Sequence, residues 1–145
     1  EHIGTAFQTV NLLQPFDAVE NVLRGATFGR KARGGRTRAI ELLERVGLGE
    51  RLHHRPGQLS VGQMQRVAIC RALIHEPELI LADEPLGNQD PETGKEVLGL
   101  LLEIAAAENR TVVMVTHDMQ SASLMQRTVD LHDLASTEAM TGGDA

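Results

Sequence analysis

The chain has no tryptophan and no tyrosine, and its aromatic residues are Phe7, Phe16 and Phe28. Proteins that hold single-stranded nucleic acid stack bases on aromatic rings, and this sequence has almost nothing to build such a platform from. A basic excess is missing too: 14 Lys and Arg against 20 Asp and Glu leave a net charge of −6. Neutralising a phosphate backbone needs dense positive charge, so nucleic-acid binding is disfavoured as the main task. Cys70 is the one cysteine. It excludes an intramolecular disulfide and a cysteine-rich zinc site, and it suits a reducing compartment. No apolar run reaches membrane-spanning length; the longest, Leu98 to Ala107, is interrupted by Gly99 and Glu103. No basic-then-apolar leader opens the chain, so nothing marks it for secretion. It starts at Glu1 rather than Met, as a fragment would.

What is present fits a globular domain or a piece of one: 145 residues, 41% hydrophobic and 23% charged. Ile3 to Phe7 reads as a short strand. Asp17 followed three residues later by Glu20 is a capping-box pattern, and it predicts a helix over Ala18 to Arg24. Gly25 to Arg38 reads as a flexible basic connection, and a solvated loop is the preferred reading over an anion contact. Ile40, Leu43 and Val46 recur at helical spacing, which predicts a helix over Thr37 to Val46 with Gly47 as its C-terminal cap. A loop then leads to a helix over Val61 to His75.

From there the pattern changes. Leu79 to Ala82 and Val112 to Val115 are short continuous apolar runs, as expected of parallel strands covered on both faces. Between them a helix is predicted over Glu92 to Glu108, with Asp90 as N-cap and Pro91 at the first helical position. Strand, helix, strand is a βαβ unit. A helix near Asp118 to Gln126 and a strand near Thr128 to His132 would extend it, and the tail from Ala135 would fray.

Three polar groups carry the chemistry. The first apolar strand ends in Asp83-Glu84, and open parallel sheets gather ligands at the carboxyl ends of their strands. One carboxylate there can hold Mg²⁺ and its neighbour can orient a water, although an acidic pair also caps turns without any other role. The second strand ends in Thr116-His117-Asp118, so His117 and Glu84 would serve one site. Ser60 followed by Gln63 is a second capping box. A helix start carrying Ser60 and an unhindered Gly62 backbone would equally bind an anion. His53-His54 reads as loop rather than metal site, the scattered methionines as core filler, and Cys70 as a buried small hydrophobe.

These segments together resemble the ATP-binding domain of ABC transporters. Leu59 to Ala68 (LSVGQMQRVA) is similar to the signature motif, and Leu79 to Pro85 (LILADEP) to the Walker B strand and catalytic acid. Gly87 to Asp90 is similar to the D-loop and Val115 to Asp118 to the switch-histidine loop. Ala6-Phe7-Gln8 before Asn11-Leu12-Leu13 is similar to the Q-loop. The motifs occur in family order.

The resemblance implies an α/β fold, a partial P-loop NTPase in which a helical subdomain precedes the second half of a RecA-like parallel sheet. Its parts would be a Q-loop region over residues 1–16, helical subdomain 17–76, core half 77–134 and tail 135–145. It further implies that Asp83 supports Mg²⁺, Glu84 polarises the attacking water and His117 stabilises the γ-phosphate of ATP. Gln8 would sense the metal and the nucleotide. Ser60, Gly62 and Gln63 would contact ATP held by a second ATPase subunit, and Asp90 would link the two sites. The helical part would receive a transmembrane permease subunit, placing the chain in the cytoplasm against the inner face of the membrane. Gly87 to Gly94 and Asn11 to Leu13 look most like the branch serving lipoprotein release and macrolide export.

Departures matter as much. No Gly-x-x-x-x-Gly-Lys-Ser/Thr segment occurs anywhere, and the only lysines are Lys31 and Lys95. The family places that phosphate cradle before the Q-loop, ahead of Glu1. Alone, the chain is expected to bind ATP poorly and not to hydrolyse it, and to leave apolar sheet edges and faces open beside the Asp83 strand, which favours aggregation or association with another chain. Val61, Leu86 and Gln89 replace the family's usual glycine, small hydroxyl residue and leucine. The competing reading is a non-catalytic remnant that docks on a partner ATPase or membrane subunit. ABC proteins acting on DNA or ribosomes are disfavoured, because neither a tandem repeat nor a heptad array is present.

Overall fold

The computed structural model describes residues 3–7, 11–25, 35–85 and 91–131. In chain order the elements are β1 (Ile3–Phe7), α1 (Ala18–Leu23), α2 (Gly35–Arg45), α3 (Val61–Leu73), β2 (Leu79–Asp83), α4 (Pro91–Ala107), β3 (Thr111–Val115) and α5 (Met119–Ala122). Two short 3₁₀ turns, Gly49–Arg51 and Pro56–Gln58, lie between α2 and α3. The three strands form one parallel sheet in the order β1-β2-β3. Phe7, Asp83 and Val115 stand level with one another across it. The architecture is therefore the expected α/β one: strand β1, then a run of helices, then a βαβ unit that completes the sheet beside β1.

Helix ends follow local chemistry closely. Asp17 Oδ1 accepts the Glu20 amide at 2.8 Å while Glu20 Oε2 accepts the Asp17 amide at 3.0 Å, the reciprocal cap predicted for α1. Gly47, at φ +76°, stops α2: its N–H reaches Glu44 O and the Leu48 N–H reaches Leu43 O, the paired bonds of a Schellman turn. Asn109 (φ +54°) stops α4 in the same way, with bonds to Ala106 O and from Arg110 to Ala105 O. Arg38 and Arg45 of α2 both bind the Glu108 carboxylate beside that turn. Desolvation pushes this carboxyl up, but the two guanidinium groups outweigh it and hold it below the usual range.

Helix α3 is the shared wall of the fold. It packs against α1, α2, α4 and β1, burying Val67, Ile69, Cys70, Ala72 and Leu73. Cys70 is fully enclosed, as predicted, and burial pushes its thiol well above the ordinary value. On the sheet, Ile80 and Ala82 point into this core, and Val112 and Met114 pack against it.

Four expectations need correction. The strands are not covered on both faces among the described residues: Leu81, Val113 and Val115 on the far face are 38%, 47% and 56% exposed. The Asp83 strand has no open edge, because β2 is paired with β1 on one side and β3 on the other. Helix α5 is a single turn rather than a helix to Gln126. There the Ser123 hydroxyl bonds to Gln120 O and the Thr128 hydroxyl to Ala122 O, offering the backbone an alternative to further helix. Residues 128–131 form no strand; Val129 and Leu131 lie exposed with no ladder to join, and His132 is outside the described residues. Smaller differences are that α2 begins at Gly35, inside the predicted basic connection, and that α3 ends at Leu73.

One polar side chain organises the segment before α1. Asn21 is 1% exposed, and its Oδ1 accepts the Leu13 amide at 2.7 Å. Its Nδ2 lies within reach of the carbonyls of Leu13, Phe16 and Asp17 at 3.2, 2.9 and 3.0 Å. Replacing it with alanine strands buried donors and acceptors, each costly without water. Asn21→Ala should lower unfolding free energy by roughly 2–4 kcal/mol in a urea titration.

Candidate functional site

The carboxyl ends of β2 and β3 are neighbours, and they bring Glu84 and His117 into contact. Glu84 leaves β2 at φ +42°, a left-handed value uncommon for a residue with a side chain. Its N–H bonds to Val115 O at 2.9 Å, tying the end of β2 to the end of β3. That turn aims its carboxylate across the sheet. Glu84 Oε1 accepts the His117 amide at 2.8 Å and lies 2.7 Å from His117 Nδ1. Oε2 accepts the Thr116 hydroxyl at 3.2 Å. An ionised carboxylate only accepts, so Nδ1 carries the shared proton and the ring's other nitrogen is left for a ligand. The His117 side chain is 88% exposed, so that nitrogen has access to solution.

Partial desolvation raises the Glu84 pKa, but the His117 ring and amide and the Thr116 hydroxyl outweigh it, holding the carboxyl below its ordinary range. Asp83, the last residue of β2, is exposed, and its carboxylate makes no hydrogen bond among the described residues. Asp118 is spent locally: it caps α5 by accepting the Gln120 and Ser121 amides.

The second group sits at the start of α3. The Gln63 amide donates to Ser60 Oγ at 3.2 Å and the Ser60 amide to Gln63 Oε1 at 2.9 Å, so the predicted capping box is present. Ser60 and Val61 are exposed. Among the described residues no hydrogen bond joins Ser60, Gly62 or Gln63 to Asp83, Glu84 or His117. Gln8 and Asp90 lie outside the described residues.

Residues 1–87 match the family described as ABC transporter. The chain belongs to that family. It is 46% identical over 132 residues to the lipoprotein-releasing system ATP-binding protein LolD of Syntrophus aciditrophicus, covering 90% of this chain and 59% of that protein. It is 51% identical over 134 residues to a macrolide export ATP-binding/permease protein MacB of Paracoccus denitrificans, covering 92% of this chain and 20% of that one. Among solved structures it is similar to a dimeric ATP-binding cassette in a post-hydrolysis state bound to ADP and Pi. That match has a TM-score of 0.67 and 41% identity, covering 84% of this chain and 55% of the cassette. The chain thus spans just over half the length of LolD and of the solved cassette and a fifth of MacB, and the fold is that of a partial P-loop NTPase.

Within this ABC chain, the donor set suits a hard cation at one position. The Asp83 carboxylate is exposed and has no competing partner among the described residues, so it would suit Mg²⁺ held by a single carboxylate and several waters. Glu84 already accepts from three donors, two of them on Oε1, so it would fit a role beside the ion rather than on it while Oε2 keeps room for a further donor. Among the described residues no group of three His, Cys, Asp or Glu forms a ready cage. His53 instead pairs with Asp17 at 2.9 Å, so the adjacent histidines are a loop contact.

Two residues escaped the sequence reading. Thr116 grips Glu84 and also accepts the Asp118 amide at 3.0 Å; its place directly after an apolar strand was the available signal. Gln65, in α3, donates to the Pro85 carbonyl at 3.5 Å, and nothing in the local pattern reveals it. Gly62 has a packing reason of its own: a Cβ there would sit 2.8 Å from Thr93 Cγ2. Gly62→Ala should therefore loosen the contact between α3 and α4 and lower stability by about 1–3 kcal/mol without any nucleotide present, read by thermal unfolding.

The Glu84–His117 contact has a defined pH sense. Its carboxyl pKa is depressed in the folded chain, so the contact contributes fully above the unfolded glutamate value of about 4.3. It is lost as pH falls through the lower folded value. The His117 amide resonance should shift with a midpoint below that of a free glutamate, and Glu84→Gln should abolish the transition.

Proposed function

We propose that this chain is the signature-bearing part of an ATP-hydrolysing ABC transporter subunit, coupling MgATP hydrolysis at a dimer interface to the movement of membrane subunits. The observation that carries it is the contact between Glu84 and His117 at adjacent parallel strand tips, with Asp83 beside them. Phosphoryl transfer is chiefly positioning and charge neutralisation, so a site for it needs few groups, rigidly placed. Asp83 is the Mg²⁺ ligand, through water or directly. Glu84 polarises the attacking water, and the free ring nitrogen of His117 meets the γ-phosphate. Gln8 reports on the metal and the nucleotide.

Ser60, Gly62 and Gln63 act on ATP bound by a second ATPase subunit. Ser60 offers its hydroxyl, and the start of α3 offers uncapped amides. Asp90 links the two sites. Residues 17–76 form the helical subdomain that receives a permease subunit, which keeps the chain peripheral on the cytoplasmic side of the membrane. The relatives named for lipoprotein release and macrolide export favour cargo of that kind. The acidic charge and shortage of aromatic rings favour no nucleic-acid role.

None of the 145 residues supplies a Gly-x-x-x-x-Gly-Lys-Ser/Thr cradle, so phosphate binding has to be completed from outside this sequence. The experiment compares the chain alone with a version joined at its N-terminus to a family segment carrying that cradle. The chain alone should show no MgATP turnover, and the joined version should hydrolyse ATP. Glu84→Gln in the joined version should cut kcat by roughly 10²–10³-fold. Turnover by the chain alone, or turnover indifferent to Glu84→Gln, would overturn the reading.

A further inference from the structure

Gln65 is 5% exposed, in the second turn of α3. A buried amide normally finds partners for most of its donors and acceptors. This one is poorly served: Nε2 reaches the Pro85 carbonyl at 3.5 Å, and Oε1 has no partner among the described residues. An apolar side chain of the same length would leave no stranded oxygen in the core, but it would give up the Pro85 carbonyl. Among the described residues the Pro85 carbonyl is the one polar partner this glutamine has.

That contact falls on the residue after Glu84. A left-handed Glu84 persists only while its surroundings hold it there. On one side its N–H is bound to Val115 O. On the other, the Glu84–Pro85 peptide has no N–H to bond with, because proline lacks one. The next handle along the chain is the Pro85 carbonyl, and Gln65 takes it. Gly62 and Arg66 share this face of α3 by helical spacing. Gly62 abuts Thr93, and Arg66 Nη2 pairs with Glu96 Oε2 at 3.2 Å, so the same face also meets the first turns of α4.

We propose that Gln65 is a positioning residue, which ties the helix carrying Ser60 and Gly62 to the turn that aims Glu84. A displacement of the start of α3 is thereby felt by the Glu84 carboxylate of the same chain. The assignment of a hydrolytic purpose to this tie rests on the function proposed for Glu84.

Hydrogen–deuterium exchange on this chain tests it without nucleotide. Gln65→Met keeps length and burial but removes the donor; Gln65→Asn keeps the amide and draws it back by one methylene. Each should speed exchange of the Glu84 and His117 amides about tenfold, while the amides of Ile80 to Ala82 and of α1 keep their rates. A purely structural glutamine would instead raise exchange across α3, β2 and α1 together. That outcome, or unchanged rates at Glu84 and His117 in both variants, overturns the proposal. Because no ATP is involved, an assembly that fails to hydrolyse ATP would defeat the functional reading and leave the tie intact.

Discussion

Helix α3 has to be buried on several sides at once, and the rest of the molecule is arranged around that requirement. Its apolar residues Val67, Ile69, Cys70, Ala72 and Leu73 are all inside, too many for one stripe of an ordinary surface helix. Helices α1 and α2 cover it on one side, while α4 and β1 meet it elsewhere. Each buried Val, Ile or Leu among them contributes roughly 1.5–3 kcal/mol, so α3 joins the helical region and the sheet into one core. Its N-cap Ser60 and first residue Val61 are exposed, while Arg66, Ala68 and Arg71 further along are half-buried.

The strand tips obey a different constraint. Parallel strands bring successive chain segments to the same end of a sheet, so residues as distant in sequence as Glu84 and His117 meet without any local signal between them. The backbone strain at Glu84 is matched by an unusual concentration of bonds: Val115 O on its amide, and Thr116 and His117 on its carboxylate. Strain of this kind is concentrated where orientation matters more than stability.

What could be read in the sequence was what is decided within one turn of chain. The Asp17/Glu20 and Ser60/Gln63 capping boxes and the Gly47 stop need only neighbours three to five residues away, and each is present. The apolar runs ending at Asp83 and Val115 were legible because a buried strand needs continuous apolar residues. Thr128 to His132 shows the limit: Val129 and Leu131 have a strand's alternation, but a strand also needs a partner edge. The open face of Leu81, Val113 and Val115 was hidden for the same reason, since apolar runs record what a strand is built to bury rather than what covers it. Among the site residues, Asp83, Glu84 and His117 stood at recognisable strand ends, and Ser60, Gly62 and Gln63 at a helix start. Thr116 and Gln65 act through contacts 32 and 20 residues away, which no local pattern encodes.

Cys70 lies in the middle of α3, fully enclosed, and is the sole sulfhydryl of the chain. An alkylating reagent can reach it only when the helix at the centre of the core comes free of its neighbours. The protein thus carries its own gauge of cooperativity: each labelled molecule records one opening of the junction between its two structural halves.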